Sequence, residues 1–224
     1  MKIMKTSNKT FTMNGIKRFT RLFLLAAVLI FAMQSCKKEQ SISYVSNTKY
    51  TQLNAAMRTL WADHMQWTFT TVDAFFNNQT ALNANLTRLL KNQEDIGNAI
   101  VPYYGQAAGD QLTSLLKEHI NLAVPVLQAA QANDNTALQT ALDNWYKNAQ
   151  DIADFLSSAN PNWNQTEMRD MMKGHIDQTT DYSVSLLQKD YNAAVQKFEV
   201  ANHHMQMMAD DLSEGIYKQF PSKF

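Results

Sequence analysis

Histidine and aspartate are the side chains whose spacing could do chemistry in this 224-residue chain. His64 follows Leu53, Met57, Leu60 and Trp61 at steps of three and four, and Trp67 and Thr71 continue the stripe. His119 sits likewise among Leu112, Leu115, Leu116, Leu122, Ala123, Val126 and Leu127. His175 sits among Met168, Met171, Met172, Thr179 and Tyr182. Those steps are the apolar face of a helix, so each imidazole is expected in a core. The chain also compares with itself at an offset of 56 residues. Lys91-Asn-Gln-Glu-Asp95-Ile96-Gly97 matches Lys147-Asn-Ala-Gln-Asp151-Ile152-Ala153. Leu115-Leu-Lys-Glu-His119-Ile120 matches Met171-Met-Lys-Gly-His175-Ile176. Asp95 to His119 and Asp151 to His175 are both 24 residues, His64 lies 55 before His119, and His64-Met65-Gln66 recurs as His204-Met205-Gln206.

Three chemistries fit this register. Four histidines (His64, His119, His175, His204) and two carboxylates (Asp95, Asp151) converging from six helices would suit a mono- or dinuclear transition-metal site of iron, zinc, manganese or copper. Asn92 and Asn148 precede the aspartates by three residues and are placed to orient such ligands from behind. Alternatively, His–Asp hydrogen bonds between neighbouring helices hold the bundle together without a metal. The third reading is a metal-free ligand pocket or acid–base site, because a buried histidine can titrate near neutrality. No Glu-x-x-His pair and no His-Glu-x-x-His motif occurs, so the carboxylate di-iron and common zinc-protease patterns are missing. Six methionines lie beside the histidines (Met65, Met171, Met172, Met205, Met207, Met208). They would suit copper, but methionine at helical spacing is first of all core filler. Whether the protein is an enzyme stays open: no strand-turn-helix nucleophile elbow is present.

The elements that must position these residues are all helices. No sustained period-two stretch occurs, and breaks fall at Asn77-Asn78, Pro102-Tyr-Tyr-Gly105, Asn133-Asp-Asn135, Asn160-Pro-Asn-Trp163 and near Lys189. The expected fold is all-α, a six-helix antiparallel bundle built from three hairpins of about 56 residues. Odd helices would carry His64, His119 and His175; even ones Asp95, Asp151 and His204. Pro125 should kink or shorten the third helix.

Charge divides the chain before the bundle begins. Lys+Arg and Asp+Glu are 20 each, but residues 1–35 hold six basic side chains and no acidic one. The remainder therefore carries 14 against 20, which argues against nucleic acid as a partner. After Arg21 come twelve apolar residues, Leu22 to Met33, too few to span a bilayer and laid out as a secretory signal. Gln34-Ser35-Cys36 follows, and a small residue before the sole cysteine at this distance resembles the lipobox of bacterial lipoprotein precursors. The resemblance implies a cleaved signal peptide over 1–35, a lipidated Cys36 and a flexible tether over 36–48, with the helical domain at 49–224. It implies a lipid anchor in the bacterial cell envelope, on the outer membrane, facing periplasm or surface. Expected partners are that membrane, a small-molecule ligand or an envelope protein.

The blocks Asn92-Gln-Glu-Asp-Ile-Gly-Asn-Ala-Ile100, Pro102-Tyr-Tyr-Gly105, Leu115-Leu-Lys-Glu-His-Ile120, Asp151-Ile-Ala-Asp-Phe-Leu156 and Asn160-Pro-Asn-Trp163 carry a second resemblance. With His204 and Gln219-Phe-Pro221, they resemble a family of all-helical bacterial proteins of unassigned function, over nearly all of residues 55–224. That likeness implies the fold and no activity.

Overall fold

The structure, a computed structural model, describes residues 48–224, and within them every regular element is helical. The signal peptide, Cys36 and the tether up to residue 47 lie outside the described residues. Six α-helices follow one another: α1 (Thr48–Asn77), α2 (Gln79–Tyr104), α3 (Gln106–Ala132), α4 (Asn135–Ala159), α5 (Gln165–Leu187) and α6 (Tyr191–Gln219). A single 3₁₀ turn, Pro221–Lys223, ends the chain. Among the described residues no helix is long and apolar enough to cross a membrane.

Local chemistry sets each boundary. Gly105, at φ 85°, turns the chain between α2 and α3. Asn133 closes α3 in the left-handed conformation at φ 55°, and Lys189 does the same after α5 at φ 61°. The next helices open on side-chain caps, Asp134 accepting from Ala137 N, Asn164 from Thr166 N and Glu167 N, and Asp190 from Ala193 N. α3 is not shortened at Pro125: it runs on to Ala132.

The helices form a closed ring, each packed on its sequence neighbours and α6 returning to α1. The odd helices α1, α3 and α5 also touch one another, so they lean towards the middle. This is the bundle of three hairpins that the periodicity predicts. One end is tied shut by polar bonds among the aromatic blocks. Asn160 Nδ2 donates to Tyr104 Oη (2.9 Å), Tyr104 Oη to Gln219 Oε1 (2.8 Å), and Gln219 Nε2 to the Ala159 carbonyl (3.1 Å). Below that knot Met57, Ile96, Leu116, Ile152, Met172 and Ile216 fill the core, each almost wholly buried. Burying such a side chain contributes about 1.5–3 kcal/mol.

Candidate functional site

Three helices of the ring's inner set place His64 (α1), His119 (α3) and His175 (α5) at one level. All three are buried, at 2%, 2% and 3% exposure. The His175 ring lies 5.5 Å from that of His64 and 5.7 Å from that of His119, centroid to centroid. Trp61 and Trp145 flank them, edge-on to His64 at 5.5 Å and tilted over His119 at 5.3 Å.

The even helices hold this layer from behind by a contact repeated three times. Asn92 Nδ2 donates to the carbonyl of Leu60 (3.0 Å), Asn148 Nδ2 to that of Leu115 (3.2 Å), and His204 Nε2 to that of Met171 (2.8 Å). The acceptors lie four residues before His64, His119 and His175 respectively, and Asn92, Asn148 and His204 are spaced by 56 residues each. The repeat partner of Asn92 and Asn148 is therefore His204. It belongs to the bracket and does not take the place of a third aspartate. Asn148 serves twice, since its Oδ1 also accepts from His119 Nδ1 at 2.8 Å. The Gln93 amide nitrogen lies 3.3 Å from His64 Nδ1 and donates to the Leu89 carbonyl at 2.8 Å. His175 makes no such bond, and its Nδ1, like His119 Nε2, is buried without a partner.

Asp95 and Asp151 do not join the imidazoles. Asp95 pairs with Lys91 at 3.2 Å and Arg88 at 3.6 Å; Asp151 pairs with Lys147 at 2.7 Å. Both are partly exposed, and the reason is helical geometry. Asn92 and Asn148 occupy the inward position, and three residues on the chain has rotated towards the outer, lysine-bearing face. Their pairs are surface pairs, so Asp95→Asn and Asp151→Asn are each expected to lower the melting temperature by no more than about 3 °C. A larger drop in a thermal melt would place them back in the core. The six expected ligands thus do not meet at one point. Among the described residues no group of three or more histidine, cysteine, aspartate or glutamate side chains is placed to hold a metal ion. Met65, Met172, Met205 and Met208 are core filler, while Met207 is exposed.

On the far side of the histidine layer from the Tyr104 knot, packing stops. A cavity of about 410 Å³ runs from His64, His119 and His175 towards the other end of the bundle. Its walls are apolar (Val72, Phe75, Leu86, Leu127, Leu142), and it reaches the surface beside Gln79, Gln128 and Val184. No Lys, Arg, Asp or Glu lines it. Thr71 and Thr179 add hydroxyls that are buried and without a partner.

No family model matches the chain, and no curated protein or solved structure does either.

Burial dominates the electrostatics of the site. Desolvation first, and the nearby His119 second, push the His64 pKa down to about 3 against the opposing bond of Asn92. Desolvation takes His119 to about 4 against the Asn148 bond. His175 is driven well below its ordinary value, first by burial and then by His64, His119 and His204. At neutral pH the cavity floor is three uncharged imidazoles. Neither Gln93 nor the cavity was legible beforehand: Gln93 carries no repeat signal, since Ala149 stands at its counterpart.

Proposed function

We propose that the protein binds a small, mostly apolar molecule in this cavity, its polar end seated on His64, His119 and His175. One observation carries the reading: an apolar cavity of about 410 Å³ ends on buried ring nitrogens that have no partner. The volume is within the range of small-molecule sites, which pair apolar walls with a few convergent polar groups. A void in a purely structural core would be a cost without return. The experiment is a thermal shift with 4-butylphenol and butylbenzene on the protein and on Ala123→Phe, which fills the cavity from its wall. The protein is expected to melt several degrees higher with a probe and the variant to ignore it. If neither probe shifts the melt, or the filled variant responds equally, the cavity is not a binding site.

A transition metal drawn onto these imidazoles is the second reading, and it requires the three rings to close up, since as placed no three such side chains are set to hold an ion. The Asn148 bond favours it, because fixing one ring nitrogen and leaving the other bare is how metal-binding histidines are held. Elemental analysis of protein purified without chelator tests it, and near-stoichiometric metal would put this reading first. The lipobox resemblance adds the setting, a domain tethered to the cell-envelope membrane through Cys36. Loss of Cys36→Ser from the membrane fraction is the expected result.

A further inference from the structure

We infer that the cavity takes an uncharged alcohol or phenol, whose hydroxyl donates to His119 and accepts from a neighbouring imidazole. The inference rests on the reading above and deepens it by naming the ligand class. A carbonyl can only accept, so the bond to Leu115 O fixes which end of the Asn148 amide is nitrogen. Asn148 Oδ1 then faces His119 Nδ1, which must carry the ring hydrogen, and the bare lone pair lies on His119 Nε2. That atom is buried and unpartnered, so a ligand that satisfies it must bring a donor.

The Gln93 amide nitrogen has two hydrogens and three acceptors near it, the Leu89 carbonyl (2.8 Å), Asn92 Oδ1 (3.2 Å) and His64 Nδ1 (3.3 Å), and Asn92 also bonds the His64 ring, so His64 is open to either tautomer. His175 stands between the two rings with no bond of its own and can take either role. A hydroxyl is the smallest group that both donates and accepts. A carboxylate brings no donor. A charged amine would find no counter-charge, because no acidic side chain lines the cavity.

Calorimetric titration with three probes of nearly equal shape tests this: 4-butylphenol, 4-butylanisole and butylbenzene. The anisole keeps the oxygen and loses only the donor. The phenol is expected to bind about tenfold tighter than either. A buried hydroxyl that found no partner would instead bind more weakly than the hydrocarbon. In His119→Leu the preference for the phenol over the anisole should shrink. Equal binding of phenol and anisole to the unaltered protein overturns the donor requirement, whether or not His119→Leu folds. Binding of all three alike removes the ligand class but keeps the cavity as a binding site. Binding of none removes the function on which the class depends.

Discussion

Lowering the pH from 7 to 4.5 is expected to cost the bundle most of its stability, with unfolding taking up close to three protons. The folded state holds His64, His119 and His175 neutral, with His64 at about 3 and His119 at about 4 against an ordinary value of 6.5. Unfolding returns each ring to water and to that ordinary value. Between pH 6.5 and 4.5 the unfolded chain therefore binds protons that the folded one refuses, and stability falls as pH falls. Above 6.5 neither state is protonated at these positions and the effect vanishes. Each proton is worth about 1.4 kcal/mol per pH unit, so three rings over two units amount to roughly 5–8 kcal/mol. That is comparable with the whole stability of an ordinary domain, about 5–15 kcal/mol. The acidic groups held low by ion pairs, Glu94 and Asp154 among them, begin to cost stability only at the lower edge of this window and below it, so they do not explain a loss that starts near pH 6.5. Urea unfolding at half-unit steps of pH measures the slope. His175→Leu separates the cause, because His175 makes no hydrogen bond to lose. The variant should match or exceed the parent at pH 7 and show about one proton less in its slope. A stability flat between pH 7 and 4.5 would mean that the rings are hydrated in the folded state.

How far the site was legible in the sequence follows from which signals are local. Asn77-Asn78, Gly105, Asn133 and Lys189 punctuate the chain because a helix end is decided by a few residues, and the boundaries fall there. The level of His64, His119 and His175 was legible too, since a 56-residue hairpin returns to the same height on the next odd helix. The direction of Asp95 and Asp151 was not. Lysine four residues before each is compatible with an ion pair on the outside and silent about the inside. The offset that linked the aspartates, applied to Asn148, leads to His204, but the change from amide to imidazole hid the shared role of capping a carbonyl on the odd helix. Least legible was the cavity. Leu86, Leu127 and Leu142 line it with the same residue types that fill the core below the histidines. An absence of packing leaves no mark in composition or period.

Gly97→Ala is expected to destabilise the bundle by roughly 2–4 kcal/mol, although alanine favours a helix by about 1 kcal/mol. The two effects oppose each other, and distance decides between them. A Cβ on Gly97 would stand 1.9 Å from Thr113 Oγ1 and 2.7 Å from the Gly109 carbonyl oxygen. A Cβ on Gly109 would in turn stand 2.9 Å from the Gly97 carbonyl oxygen and 2.4 Å from Val101 Cγ2. The backbones of α2 and α3 thus touch at this pair, and a carbonyl cannot rotate aside as a side chain does. The helices would have to part, and the separation would act on the core that supports Ile96 and Ile100 just beneath the histidine layer. The repeat supplies the contrast, because Ala153 stands at the counterpart of Gly97 and is buried with its Cβ accommodated. Gly174→Ala is the internal control. Its Cβ would meet only the His204 ring, at 3.2 Å, and a side chain can yield by a few tenths of an ångström. Urea denaturation should rank the proteins with Gly97→Ala and Gly109→Ala well below Gly174→Ala. If Gly97→Ala proves as stable as the parent, α2 and α3 are farther apart in solution, and the height at which His119 faces His64 would have to be revised with them.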